Sequence, residues 1–315
     1  MTIKAGIIGC GGIAKCHIAG YKSNNIEITA VTDINPDAAK AMGAELGAEV
    51  FASFRELIES GRVDLISICT PPVAHEADAV LALEHGVNVL LEKPSAANVE
   101  AARKIKAAAD KSGARLMLAF RHRFIPAIVR MKEMIDSGCL GQVVFFQNTF
   151  CGPAFDMKDK WFSKKAVAGG GSMLDTSSHS VDLFRFLIGE VTKQHAVCHT
   201  HLEGTDVEDA AIIILKAENG VIGSLTSAWV AGTGKADIII MGQDGKAEYN
   251  YGGDLTFHKR GAEKPEKIEI PELTGGFAEQ IGSFIKAIES NQEPEITAFD
   301  GLRCLEIINA CYKEN

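Results

Sequence analysis

Short apolar runs and longer amphipathic stretches alternate through the first 120 residues with little padding between them. The runs at 3–8, 27–32, 63–70, 88–91 and 115–119 read as strands, and the stretches at 14–24, 36–46, 54–60, 74–86 and 94–112 carry helical spacing. Asn35-Pro36 opens the second helix, Gly61 stops the third, and Pro71-Pro72 ends the strand at 63–70 sharply. Pro94 is expected to begin the last helix, with Ser95 serving its start. The run at 63–70 is apolar without alternation, as a strand buried on both faces should be. Short strands separated by helices, ending with 115–119, predict a doubly wound, mainly parallel α/β sheet with right-handed crossovers.

The rhythm changes after residue 121. A helix at 126–137 ends at Gly138, a strand follows at 142–151, and a polar segment holding Trp161 leads to Gly169-Gly170-Gly171. A helix is expected over 173–187. Strands follow at 190–203, 207–217, 220–231, 236–242, 245–251, 254–259 and 266–270, with Asn219-Gly220 and Asp244-Gly245 as hairpin turns. Helices at 275–290 and 297–312 close the chain. The pattern predicts a Rossmann-type domain over 1–121 and a second, α+β domain over 122–315 built on a large, mainly antiparallel open sheet.

Composition changes this picture little. A chain of 315 residues is long for one core, which suits two domains. The net charge of −9, with no basic stripe interleaved with aromatics, argues against nucleic acid and anionic membrane surfaces as partners. The 8 cysteines include no C-x-x-C pair and no histidine neighbours at zinc spacing, so no metal site is expected. Cys69 and Cys304 sit in apolar segments, which predicts buried reduced thiols and a cytoplasmic location. The first strand begins too early to leave room for a signal peptide, and no apolar run is long enough to span a membrane.

The first strand feeds directly into Gly9-Cys10-Gly11-Gly12-Ile13-Ala14, a G-x-G-x-x-A fingerprint. Gly9 permits the tight turn, Gly11 lets the backbone approach a pyrophosphate, and Ala14 lets the helix pack closely on the sheet. The helix opened by Gly12 and Ile13 offers its N–H groups and positive dipole end to that anion. A glycine-rich turn without function would share these residues; Asp33 separates the two readings. It ends the second strand about 20 residues on, where an acid binds ribose hydroxyls and repels a 2′-phosphate. NAD is therefore expected rather than NADP.

Three further constellations carry chemistry. Thr70-Pro71-Pro72-x-x-His75 lies at the C-terminal end of the strand at 63–70, the edge where open α/β sheets bind ligands; a loop capping a helix is the plainer alternative. Glu92-Lys93-Pro94 follows a buried strand at the same edge, and charges there usually have a purpose or a partner. Lys93 could reach a nicotinamide and a substrate hydroxyl, or Glu92 and Lys93 could form a surface ion pair. In the stretch 169–182, Asp175 and His179 are one helical turn apart. A carboxylate so placed orients an imidazole for acid–base work, with Asp182 as a second possible partner; a satisfied helical histidine is the alternative. Arg121 and Arg123 would suit a carboxylate, phosphate or polyhydroxyl substrate, or could bridge domains or touch the cofactor.

Together these residues resemble the Gfo/Idh/MocA family (glucose–fructose oxidoreductase, inositol dehydrogenase) over essentially the whole chain. The resemblance rests on GIIGCGGIA with Asp33, TPPVAH at 70–75, LLEKP at 90–94 and GGGSMLDTSSHSVD at 169–182. It implies hydride transfer between NAD and a hydroxyl or carbonyl of a sugar or cyclic polyol, with Lys93, Asp175 and His179 catalytic. Gly9, Gly11, Gly12, Ile13, Asp33, Thr70, Pro71, His75, Glu92 and Lys93 would then bind the cofactor. Arg121, Arg123 and Trp161 would join the catalytic three around the substrate, and Tyr312 would pack toward the cofactor. Ser177 departs from the glycine usual two residues after the aspartate. A carbonyl or dihydrodiol-type reductase of the same fold, and a non-catalytic NAD-binding sensor, are the competing readings; the intact triad speaks against the sensor. A sheet face left uncovered by helices predicts self-association as a dimer or tetramer, with Ile222, Leu225 and Trp229 contributing.

Overall fold

The computed structural model describes residues 3–270 and 274–314. The chain divides into two compact units. The first holds β1 (Lys4–Ile8), α1 (Gly12–Ser23), β2 (Glu27–Thr32), α2 (Pro36–Leu46), β3 (Glu49–Val50), α3 (Phe54–Glu59), β4 (Leu65–Ile68), α4 (His75–Glu84), β5 (Asn88–Leu91), α5 (Val99–Lys111) and β6 (Leu116–Leu118). Among the described residues its sheet has six strands in the order β3-β2-β1-β4-β5-β6, parallel throughout. Strand order reverses between β1 and β4, and the loops after their C-terminal ends form the binding edge of such a sheet. Leu65, Ile66 and Ile68 are at most 1% exposed, each burial worth roughly 1.5–3 kcal/mol. β3 is two exposed residues long, too short to leave a hydrophobic pattern in the sequence.

The expected helix start at Pro94 is corrected. Residues 94–98 form a loop, and α5 begins at Val99, where the Asn98 side chain accepts the Ala101 N–H at 2.9 Å. Ser95 is buried and makes no cap, so the helix starts where Asn98 can supply one.

The second unit holds α6 (Pro126–Asp136), β7 (Val143–Pro153), α7 (Lys165–Ala168), α8 (Ser172–Asp175), α9 (Ser177–Leu187), β8 (Val191–His199), β9 (Ala210–Ala217), β10 (Ile222–Ala228), β11 (Val230–Gly242), β12 (Gly245–Asn250), β13 (Leu255–Lys259) and β14 (Glu266–Ile268). Among the described residues these strands form one eight-stranded sheet, β14-β13-β12-β11-β7-β10-β9-β8. It is antiparallel except where β10 runs parallel to β7. The strands expected at 220–231 and 236–242 divide differently: β10 ends at Ala228 and β11 starts at Val230, because β11 pairs along most of β7.

One face of this sheet receives α9. The Phe184 ring meets Phe146 edge-on at 5.4 Å, and it fills the space beside Gly223, where a Cβ would come within 2.6 Å of it. Leu225 and Trp229 lie within the unit at 0% and 5% exposure, so they are not on the outer face expected for them. Alternation along the strands turns Val197, Ile212, Ile214 and Ile222 outward instead, at 46–66% exposure.

The expectation of 122–315 as one continuous second domain is also corrected. Gly276–Leu305, comprising α10 (Phe277–Glu289) and the first part of α11 (Ala298–Glu314), groups with the first unit. The reason is close helix packing. A Cβ at Gly20 of α1 would lie 2.6 Å from Ile281, and one at Gly282 would lie 2.7 Å from Asn24. Asn24 also donates to the Ala278 carbonyl at 2.8 Å. No described helix is long and apolar enough to cross a membrane.

Candidate active site

At the sheet edge of the first unit, Gly9 adopts φ +87°, and a Cβ there would press to 2.8 Å on the Cys69 backbone. Only glycine meets both demands. Gly11 and Gly12 face open space, with nothing within 4 Å of a Cβ built on either. α1 starts at Gly12 without a side-chain cap, leaving its first N–H groups for an anion. Half-buried Asp33 is pinned by the Cys10 N–H on Oδ2 at 2.6 Å and the Asn35 N–H on Oδ1 at 2.7 Å. Beside it Ile34 is fully exposed, an apolar flank suited to an adenine that the sequence reading passed over. Turn, open space, uncapped helix and held acid fit a dinucleotide.

Three members of the expected cofactor set make their side-chain contacts within the fold. His75 is fully buried, with Nε2 2.8 Å from the Thr70 carbonyl and Nδ1 3.0 Å from the Pro94 carbonyl. It clips the loop after β4 to the loop after β5. Burial pushes this imidazole down from its ordinary range, against the pull of those carbonyls. Glu92 is 7% exposed; its carboxylate meets His17 Nε2 at 2.8 Å and accepts the Lys93 N–H at 3.0 Å. Both residues shape the edge from within, as does Thr70, whose hydroxyl donates to Asp78 at 3.0 Å. Lys93 itself is half-buried at the end of β5. The Arg121 guanidinium lies 4.7 Å over the Phe277 ring.

In the second unit, the glycine run has a structural cause. A Cβ at Gly171 would fall 1.8 Å from the Glu208 carbonyl oxygen, and one at Gly170 would fall 2.2 Å from the Tyr312 hydroxyl. Glu208 Oε1 accepts the N–H groups of Gly171 at 3.1 Å and Met173 at 2.9 Å, and the Tyr312 O–H at 2.7 Å. This carboxylate anchors the start of the segment that carries Asp175 and His179. Tyr312, expected to pack toward the cofactor, donates its hydroxyl to Glu208 instead. Burial and the Glu208 charge hold its phenol proton well above the ordinary range.

The helix expected over 173–187 is divided at Thr176 into α8 and α9. Trp229 Nε1–H donates to the Thr176 hydroxyl at 3.0 Å. Ser177, the departure from the family pattern, is accommodated because its hydroxyl meets buried Ser227 at 2.9 Å. The His179 ring stacks on His122, whose Nδ1 shares a 3.1 Å hydrogen bond with the Tyr251 hydroxyl. Arg123 closes its fork on Asp182, with Nε–Oδ2 at 2.9 Å and Nη2–Oδ1 at 2.5 Å. Asp182, considered above as a partner for His179, thus serves Arg123, and Arg123 is no unpaired cation awaiting an anionic substrate. Trp161 stacks on Phe162 at 3.7 Å.

Sequence reasoning missed His17, Tyr21 and Glu208. The signal for the first two was present: two polar aromatic residues at i and i+4 inside the apolar stripe of α1.

Comparison with known proteins gives these features their context. Residues 3–120 match an oxidoreductase family with an NAD-binding Rossmann fold, and residues 128–248 match the Gfo/Idh/MocA C-terminal domain. The class is that of NAD-binding oxidoreductases. Within it, the chain belongs to the Gfo/Idh/MocA family. It is 28% identical to an inositol 2-dehydrogenase of Rhizobium meliloti (strain 1021), over 99% of this chain and 97% of that one. It is 26% identical to a levoglucosan dehydrogenase of Pseudarthrobacter phenanthrenivorans, over 79% and 74% respectively. A levoglucosan dehydrogenase solved in complex with NADH shares its fold at a TM-score of 0.92 and 22% identity, covering 100% of this chain and 97% of that one.

Proposed function

We propose that this enzyme oxidises a ring hydroxyl of a neutral sugar or cyclic polyol with NAD, or runs the reverse reduction. The observation that carries the choice of substrate is the closed pair of Arg123 and Asp182, one turn beyond His179 on α9. A guanidinium paired in this way still presents hydrogen-bonding groups to hydroxyls, but it offers little net charge to a carboxylate or phosphate. Relatives named for inositol and levoglucosan point to the same chemistry.

The turn at Gly9–Ile13 and the start of α1 hold the pyrophosphate, and Asp33 takes the ribose hydroxyls. The bound dinucleotide supplies the hydride acceptor. His179 takes the proton from the substrate hydroxyl, Asp175 orients its imidazole, and Lys93 donates a hydrogen bond to the developing alkoxide. Arg121 and Trp161 remain candidate substrate contacts. The outer face of the second sheet, with Val197, Ile212, Ile214 and Ile222, is the self-association surface. The reading places the enzyme in the cytoplasm, where its thiols stay reduced.

The test is a panel of inositols, levoglucosan, aldoses, sugar acids and sugar phosphates with NAD or NADP, followed by NADH absorbance. Turnover of a neutral ring with NAD is expected. Turnover confined to sugar acids or phosphates, or to carbonyl compounds, would overturn the reading.

A further inference from the structure

Four polar side chains form a line inside the first unit, ending at the backbone of Lys93. The Tyr21 hydroxyl is 2.7 Å from Ser67 Oγ, and Ser67 Oγ is 2.9 Å from His17 Nδ1. His17 Nε2 is 2.8 Å from Glu92 Oε1, and Glu92 Oε2 accepts the Lys93 N–H at 3.0 Å. Tyr21, Ser67 and His17 are 0% exposed. Polar groups so deeply buried are costly unless each finds a partner.

One distribution of protons satisfies the whole line. Tyr21 O–H donates to Ser67, Ser67 O–H donates to His17 Nδ1, and His17 Nε2–H donates to an ionised Glu92. The other histidine tautomer would set a ring lone pair against the carboxylate. An imidazolium would donate to Ser67 from Nδ1, leaving one of the two hydroxyls without an acceptor in the line. Burial alone would push the Glu92 carboxyl up, yet the His17 hydrogen bond and the nearby Lys93 charge hold it below its ordinary range. The other titratable groups acting on this site are the buried Cys69 and His75, both within the field of Glu92.

We propose that His17 is a positioning residue for Lys93. The one-way chain from Tyr21 through Ser67 and His17 holds Glu92 as a carboxylate, and Glu92 in turn fixes the end of β5 from which the lysine projects. This rests on the role proposed for Lys93 above, but the chain itself is testable without it.

Long-range nitrogen NMR of the histidine rings, with His17→Gln to assign the resonance, reads the tautomer directly. A neutral His17 protonated at Nε2 is expected. A His17 protonated at Nδ1, alone or together with Nε2, overturns the chain. In kinetics with the polyol turned over fastest, Tyr21→Phe and His17→Leu should lower kcat by about tenfold to a hundredfold. KM and NADH affinity should stay within about twofold, a split that loss of folding would not produce. His17→Gln, which keeps a donor toward Glu92, should recover most of the rate. Unchanged kcat in both Tyr21→Phe and His17→Leu overturns the positioning role. Lys93→Met separates the two ideas: full turnover in that variant removes the function proposed for Lys93, while the NMR result still decides the chain.

Discussion

The imidazoles of His122 and His179 are stacked, with ring centroids 4.1 Å apart and planes inclined by 19°. His122 is buried, tied to Tyr251 and met edge-on by Phe150 at 5.3 Å. The proposed base therefore has a fixed aromatic slab against one face, which limits its rotation. His179→Ala should lower turnover by about a hundredfold to ten-thousandfold with NADH affinity kept. His122→Phe, which preserves the slab, should stay within a few-fold of wild type. His122→Ala should lose up to roughly tenfold, the worth of an aromatic pair. Steady-state kinetics on the three variants checks this, and equal effects of Phe and Ala at 122 would show that stacking is irrelevant.

Asp33 is held by two backbone N–H groups in a fixed position at the end of β2. Asp33→Asn keeps the shape and removes the charge. It should reduce kcat/KM for NAD by about tenfold, the worth of a charged hydrogen bond, and improve NADP relative to NAD. An unchanged ratio for the two cofactors would remove Asp33 from the ribose site.

Gly171 has no room for a methyl group against the Glu208 backbone. Gly171→Ala should destabilise the protein by at least about 1–3 kcal/mol through overpacking. Gly152→Ala, where a Cβ meets nothing within 4 Å, is the matched control. Denaturant unfolding of both variants gives the comparison; similar midpoints would contradict the packing account.

Burial pushes the Asp78 carboxyl up from 3.8 to about 6, only partly offset by the Thr70 hydrogen bond. The folded state thus binds this proton more tightly than the unfolded chain does. The stabilisation that results is complete below about pH 4 and lost as pH rises through about 6, where the folded protein must carry a poorly solvated charge. Asp78→Asn should therefore gain stability, on the order of 2 kcal/mol, at about pH 8 and almost none near pH 4. Melting temperatures at the two pH values measure the effect, and a gain larger at the acidic end would reverse the sign argued here.

Val197 lies opposite Ile212 on neighbouring strands of the open sheet, with Ile214 and Ile222 on the same face. The double change Ile212→Glu with Ile214→Glu should convert an oligomer to monomer without unfolding it. Sedimentation velocity on both proteins decides the matter; a monomeric wild type would remove this surface from the proposal.

Much of this molecule was legible in the order of its residues. The parallel sheet announced itself because strands buried on both faces must be apolar without alternation, as 63–70 is. The fingerprint was legible because its glycines answer local demands, a positive φ at Gly9 and open space at Gly11. Helix caps were less so: Pro94 looked like a start, but Asn98 won the competition.

What tertiary structure decided were the partners of polar groups and the destinations of segments. A histidine on α1 reads as one more helical residue until folding brings Ser67 and Glu92 to its two nitrogens. Arg123 reads as a substrate cation until Asp182 closes on it, and Leu225 as surface until α9 covers that side of the sheet. Gly20 and Gly282 draw a C-terminal helix onto the first unit from more than 250 positions away. Periodicity and turn chemistry are local and so are written along the chain. Hydrogen-bond partners and close approaches join residues distant in sequence, and only the packed core selects them.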